Sequence, residues 1–479
     1  MTRRSSPRAG GRRTRAGVAA AATVLLVVVA VGAGGAGASR PAAAESTTAS
    51  SATPVFSARR LPALVQAIAA EGDLKAELDP VVDASPGDTC LAVDVAGHEL
   101  FRADAQDPLV PASNQKIVTA QLALDVLGPD HRFTTEVGGA LGDDGVVDGD
   151  LYLIGGGDPV LRTRAYADYF GDLAGAGTSI EGLADAVVAK GVRHITGSVV
   201  GDESRYDTER SVPGWPDRYL GQHQLGPLSA LEVNQSFTSF PDTYSDENLG
   251  ALVAAEDPPA FAARTFAELL EARGVRIDGP AGSGVRPPGT TLIARSTSPP
   301  LTAIVHEMLN RSDNQIAELL VKEAGVVQGG AGTTAAGLAA FRKAFDRLGL
   351  PAGGVVMHDG SGLGYDNRLT CDLLVALLDR TGVHSAIGTG LAVGGRTGTL
   401  RERFTDAATK GRIRAKTGTL DNVSSLSGFA IDAASPPLVF SYIANGAPVT
   451  PALLEVQEQL GRALVGYADA VPLAAVSPR

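Results

Sequence analysis

The sequence predicts an α+β fold, an antiparallel sheet flanked by helices and interrupted by a large strand-rich insertion. Three observations carry this. Helix-period and strand-period segments occur together towards both ends of the chain. Between about residues 131 and 300 the texture changes to short strands, Gly/Asp turns and brief helices. Near the C-terminus three strand-like stretches follow one another closely enough to form an antiparallel meander.

In chain order, residues 1–38 read as a signal peptide or N-terminal membrane anchor. Arg3, Arg4, Arg8, Arg12, Arg13 and Arg15 lead into an uncharged run from Ala16 that ends in Ala36-Gly37-Ala38. If retained, that run is long enough to span a bilayer. Residues 39–58, "SRPAAAESTTASSATPVFSA", hold too little apolar mass to fold and read as a disordered linker. The folded protein is then expected to begin near Arg59, outside the cytoplasmic membrane.

Residues 59–130 form the first part of the interrupted domain. "LPALVQAIAAEGD" has helical periodicity, and "DTCLAVDV" and "LFRADA" form a hairpin about Ala96 to His98. A helix from Ser113 to Leu127 stops at Gly128-Pro129. Residues 131–300 are the insertion. Its "GDDGVVDGD" and "GGGDP" stretches read as tight turns rather than a calcium loop or a phosphate cradle. Residues 301–479 complete the domain with helices at "LTAIVHEMLN" and "QIAELLVKEAG". The strands "IRAKTGT", "VSSLSGFAID" and "PLVFSYIANG" follow, then a helix from about Pro451 to Tyr467.

Composition excludes some functions. With 53 acidic against 41 basic side chains the net charge is −12, which disfavours nucleic acid as a partner. The seven His never pair at metal-ligand spacing, and "HEMLN" places Asn310 where a zinc protease needs a second His. No cofactor or metal is called for. Cys90 and Cys371 are too few for a disulfide scaffold and read as small buried thiols, although one bridge is open to an exported chain.

The chemistry begins at "SNQK", Ser113 to Lys116, where a helix starts. Spacing of i,i+3 puts both side chains on one face. A serine hydroxyl is a poor nucleophile until a base takes its proton, and a neutral lysine one turn on can be that base. Lowering a lysine pKa from about 10.4 to near 7.5 corresponds to about 4 kcal/mol, which burial or a second cation must supply. Lys416, in "RAKTGTL", is the candidate second cation. Thr417, Gly418 and Thr419 follow it on a predicted strand. That edge could hold an extended peptide, with Gly418 removing a Cβ that would keep it away. The near-copy "GRTGTL" at Gly395 to Leu400 lacks the lysine and reads as a structural turn near the site. Between two helices "RSDNQ" offers Ser312 to pass a proton to a leaving amine and Asn314 to hold a substrate amide.

Ser-x-x-Lys, Ser-x-Asn and Lys-Thr-Gly in this order form the motif set of penicillin-interacting serine enzymes. With "GDLYLIGGGDPVL", "PGWPDRYL", "LSALEVNQS", "DGSGLGYDNR" and "KTGTLDNVSSLSG", the chain from about Leu61 onward resembles the D-Ala-D-Ala carboxypeptidase/endopeptidase family, the class C low-molecular-mass penicillin-binding proteins. The resemblance implies a penicillin-binding transpeptidase-like domain carrying inserted domains. It implies peptidoglycan peptides ending in D-Ala-D-Ala as substrates and β-lactam antibiotics as acylating ligands. By the same resemblance Ser113 is the nucleophile and Lys116 its base, Ser312 and Lys416 relay a proton, and Asn314 orients the substrate. Thr417 and Thr419 hold the terminal carboxylate, and the N–H groups of Ser113 and Thr419 form the oxyanion hole. One departure is Gly364-Tyr365, where relatives often carry Ser-Arg and the Arg can bind a diaminopimelate side chain. The alternatives are a β-lactamase, against which the insertion and the lack of a Glu-x-x-x-Asn segment argue, and a non-catalytic cell-wall-binding or penicillin-sensing module.

Overall fold

The computed structural model describes residues 61–470, apart from 172–174, 217, 244–250 and 433–435. The expected signal or anchor segment and the linker lie outside the described residues. Among the described residues no helix is long and apolar enough to cross a membrane.

The central sheet has six antiparallel strands in the order Ala392–Val393, Ile413–Leu420, Val423–Ala430, Leu438–Asn445, Asp88–Val95 and His98–Ala103. The C-terminal meander thus lies beside the N-terminal hairpin, joining segments more than 300 positions apart. Strand alternation explains how both faces are covered. Cys90 and Ala92 point into a core shared with the helices Gln115–Leu127, Leu301–Arg311, Asn314–Ala324, Thr334–Leu348 and Cys371–Thr381. Leu91 and Val93 point to the opposite core, under Leu61–Asp83 and Pro451–Ala470. With both faces covered, every residue of Val423–Ala430 is buried.

The segment from Thr134 to Thr297 builds a second, mixed sheet. Val146–Ile154 pairs antiparallel with Thr134–Leu141 and parallel with Val199–Asp202, and Leu292–Thr297 closes the other side antiparallel to Thr134–Leu141. The helices Ile180–Ala189 and Pro258–Glu271 pack on it around Leu151, Leu153, Ile195 and Phe266. "GDDGVVDGD" is a hairpin turn, Gly142 N donating to Val146 O at 2.8 Å. In "GGGDP" a Cβ on Gly156 would stand 2.0 Å from Thr134 O, so this glycine serves backbone packing.

The reading of the cysteines needs correction. Cys90 and Cys371 form a disulfide, with Cα atoms 6.0 Å apart across 281 positions of sequence. The cause is tertiary: the fold brings the start of Cys371–Thr381 against Asp88–Val95, where both side chains are fully buried.

Candidate active site

Ser113 lies in a 3-10 turn, Ala112–Asn114, and the α-helix proper starts at Gln115, two residues later than the sequence suggests. Ala112 is fully buried with φ 46°, in the left-handed region that a non-glycine residue occupies at a cost. That backbone turns Ser113 out of the helix axis into a cavity of about 410 Å³. The cavity also touches Ser312, Asn314, Thr399, Thr417 and Thr419, so all three motifs meet at one place.

Lys116 is fully buried. Its Nζ donates to Ser113 Oγ at 2.9 Å, Asn314 Oδ1 at 2.6 Å and Ser361 O at 2.7 Å. Burial lowers its pKa to about 8, against an upward pull from Glu318, Asp359 and Asp313. Of the three oxygens around the amine, two are pure acceptors, and only the Ser113 hydroxyl can donate a proton. A lone pair on neutral Lys116 therefore finds its one possible donor in Ser113.

Ser361, in "DGSG", had no role in the sequence reading, because a backbone acceptor leaves no side-chain signature. Its loop is built around buried Asp359, which accepts from Gly362 N and Gly364 N, each at 2.7 Å, Asn367 Nδ2 at 2.9 Å and Trp215 Nε1 at 2.8 Å. Glu318 holds the same loop, accepting from Gly360 N at 3.1 Å and Ser361 N at 2.7 Å. Burial raises the pKa of both carboxyl groups, and the charge of Asp359 raises that of Glu318 further.

Ser312 ends Leu301–Arg311 in the left-handed conformation, φ 65°, and Asp313 Oδ1 caps the next helix by accepting from Ile316 N at 2.9 Å. Asn314 faces the site through Oδ1, while its Nδ2 donates to Gln224 O at 2.6 Å. One amide N–H is thus committed to the insertion, and the second is left for a ligand.

On the motif strand, Lys416 pairs with Ser427, Thr417 with Leu426 and Gly418 with Ser425. Lys416 is fully buried and donates to Thr417 O at 2.8 Å. Burial, then repulsion from Lys116, hold its pKa well below the usual lysine range. Burial thus lowers Lys116, and the lysine–lysine repulsion acts on Lys416. The expected reason for Gly418 also changes. A Cβ there would stand 2.2 Å from Ser425 Oγ and 2.9 Å from Pro111 O and Ser113 N, so the glycine admits the serine turn itself. The earlier near-copy forms a 3-10 turn, Gly398–Leu400, whose Thr399 lines the cavity. Tyr365 packs near Val110, Ala112 and Val423, its hydroxyl accepting from Asp421 N at 3.2 Å.

The D-Ala-D-Ala carboxypeptidase 3 (S13) family matches residues 90–251 and 239–467. A D-alanyl-D-alanine carboxypeptidase of Actinomadura sp. (strain R39) is 31% identical over 463 residues, 81% of this chain and 83% of the relative. Carboxypeptidase DacB of Mycolicibacterium smegmatis is 30% identical, covering 74% of this chain and 75% of its own. In fold, the chain is similar to penicillin binding protein 4 (dacB) of Haemophilus influenzae, with a TM-score of 0.67 at 19% identity, over 80% of this chain and 98% of that one. The same Haemophilus protein in complex with a novel β-lactam matches with a TM-score of 0.59 at 19% identity. The coverage extends through both the six-stranded sheet and the insertion, and the chain belongs to the D-Ala-D-Ala carboxypeptidase 3 (S13) family of peptidases.

Proposed function

We propose that this protein is a serine-type D-Ala-D-Ala carboxypeptidase/endopeptidase that trims peptidoglycan stem peptides outside the cytoplasmic membrane and is acylated by penicillin. The observation that carries the reading is the amine of Lys116, 2.9 Å from Ser113 Oγ and otherwise surrounded by oxygens that cannot give it a proton. Neutral Lys116 takes the hydroxyl proton as Ser113 Oγ attacks the carbonyl between two D-alanines. The N–H groups of Ser113 and Thr419 receive the developing oxyanion. Thr417 and Thr419 hold the terminal carboxylate across the strand edge that Gly418 keeps close, and the second N–H of Asn314 holds a backbone carbonyl of the peptide. The proton passes by way of Ser312 and Lys416 to the departing amine. Water then hydrolyses the ester on Ser113 and releases the shortened stem.

Intact-protein mass after exposure to benzylpenicillin, with Ser113→Ala beside it, tests this. A lasting one-drug adduct on the parent and none on the variant, with D-alanine released from a D-Ala-D-Ala peptide, is the expected result. Drug consumed without an adduct would identify a β-lactamase. Drug left intact and no peptide turnover would identify a binding module.

A further inference from the structure

A second cavity, of about 450 Å³, lies apart from the one at Ser113 and shares no lining residue with it. It opens where the insertion meets the C-terminal end of Asn314–Ala324, the end away from Asn314. Arg132, Arg205 and Arg286 line it, against two carboxylates, Glu136 and Glu323. Three arginines in one cleft run against the charge of the chain. Residues 1–60 hold nine Arg and one Glu, so the total of −12 leaves −20 on the chain from Leu61 onward.

Most of the donors in this cleft are unspent on protein. Buried Glu323 is answered inside the wall, accepting from Arg205 Nε at 2.9 Å, Arg205 Nη2 at 2.7 Å and Tyr206 Oη at 3.0 Å. His131 Nε2 lies 3.3 Å from the same carboxylate. Arg132 gives one N–H to Ser298 O at 2.7 Å and has no carboxylate within ion-pair distance among the described residues. Arg286 is held through its backbone, its N donating to Asp202 Oδ2 at 2.9 Å, while its guanidinium meets Glu136 only at 3.5 Å. A guanidinium carries five N–H donors in a fork that matches the oxygens of a phosphate, so Arg132 and Arg286 offer two such forks on the wall of one cavity.

The surroundings of the cleft are apolar. Of six large apolar side chains exposed among the described residues, three border it, so the exposure is gathered rather than scattered. Val285, 71% exposed, precedes Arg286, and Val327, 50% exposed, follows Val326, which lines the cavity. Leu292, 49% exposed, pairs with Gly138, two residues along the strand from Glu136. Strand alternation puts it on the sheet face that carries Glu136.

We infer that this cleft binds the headgroup phosphate of an anionic phospholipid and so holds the folded protein against a membrane surface. The arginine forks take the phosphate by charge-assisted hydrogen bonds. Val285, Leu292 and Val327 reach the boundary between headgroups and acyl chains, where aliphatic side chains are stabilised. A free phosphate or a sugar phosphate would use the forks and leave these three side chains in water, so the lipid is the ligand that satisfies both. The inference stands apart from the reading of the catalytic cavity.

The test titrates the full-length protein by calorimetry with dihexanoylphosphatidylglycerol below its micellar concentration. Dihexanoylphosphatidylcholine, which has no net charge, and glycerol phosphate, which has no acyl chains, are titrated beside it. One variant combines Arg132→Gln with Arg286→Gln, and a second combines Val285→Ser with Val327→Ser. Residues 1–38 are the same throughout, so a difference between proteins reports the cleft, and an unchanged thermal midpoint reports folding. The parent should bind the phosphatidylglycerol at least about ten-fold more tightly than either comparison ligand, and the arginine variant should lose at least about that factor. The valine variant should bind phosphatidylglycerol no better than glycerol phosphate and keep its affinity for the latter. A parent that does not bind phosphatidylglycerol, or an arginine variant that binds it as the parent does, would overturn the inference. Equal affinity for glycerol phosphate would identify a phosphate site without a membrane role, and equal affinity for phosphatidylcholine would identify apolar partition alone. Either would overturn it as well.

Discussion

Thr417 Oγ1 donates a 2.8 Å hydrogen bond to Thr399 Oγ1, so the two near-copies of one short sequence, "GRTGTL" and "AKTGTL", touch at the edge of the substrate cavity. The contact fixes the Thr417 rotamer, and because both partners are hydroxyls Thr399 can take over as donor and leave the Thr417 proton to an incoming carboxylate.

Thr399→Val should therefore weaken substrate binding without disabling the nucleophile. A net hydrogen bond contributes about 1 kcal/mol, or about five-fold in an equilibrium constant. KM for a D-Ala-D-Ala peptide should rise by about that factor, with kcat changed less. Steady-state kinetics on the pentapeptide check it, and an equal fall in kcat at constant KM would count against the assignment.

The pH dependence follows from Lys116. As base it must be neutral, and its pKa is lowered to about 8. Below that pH the neutral fraction falls about ten-fold per unit, so acylation should rise with pH and level off above about 8. Glu318 pulls the Lys116 pKa upward where it is ionised, and its own pKa is raised to about 8, so Glu318→Gln should move the upper part of the profile towards acid. For stability the sign also follows. Lys116 has a lower pKa folded than unfolded, so the unfolded chain binds more protons between about 8 and 10.4, and its contribution to stability grows as pH rises through that window. Second-order rate constants for benzylpenicillin acylation from pH 6 to 10 would show the profile. A shift of the Glu318→Gln profile to higher pH would contradict this electrostatic account.

Gly418→Ala should be severe. The added Cβ meets Ser425 Oγ at 2.2 Å and Ser113 N at 2.9 Å, and Ser425 Oγ already donates to Pro111 O at 2.7 Å. Either the motif strand or the serine turn must move. Loss of acylation by at least a hundred-fold is expected, since misplacing reacting groups by about 1 Å costs roughly that much. Mass spectrometry after penicillin exposure reads it directly, and near-parental acylation would mean the strand relaxes elsewhere.

What could be read from the sequence was what is local in it. The hairpin at 88–103, the meander from Ile413 to Asn445 and the helix from Pro451 have periods contained within each segment. Ser113 and Lys116 share a helical turn, and Ser312 and Asn314 share a break between helices, so their short spacings are visible in one dimension. The fold class followed from these, and the likeness in fold to the Haemophilus penicillin binding protein 4 over 80% of the chain agrees with it. The features that escaped depend on neighbours far apart in sequence. The Ser361 carbonyl reaches Lys116 across 245 positions, and Gln224 O reaches Asn314 across 90. Thr399 was placed near the site but given no partner, because its contact depends on how a 3-10 turn folds onto the strand edge. The disulfide was missed for the same reason.

That disulfide closes a loop spanning 281 positions and ties Asp88–Val95 to the start of Cys371–Thr381. It is not the one link there, since Asp372 N donates to Ala105 O at 3.0 Å and Leu369 N to Leu109 O at 2.9 Å. Its contribution is therefore expected to come mainly from restricting the unfolded chain, in the range of about 2–5 kcal/mol for a native bridge. The paired substitution Cys90→Ala with Cys371→Ala should lower the thermal midpoint and leave penicillin acylation at ambient temperature close to that of the parent, because neither sulfur touches Ser113 or Lys116. Reductant should lower the parent's midpoint towards that of the variant and leave the variant unchanged. If the variant loses acylation while its melting is unaltered, the bridge positions the site rather than stabilising the fold.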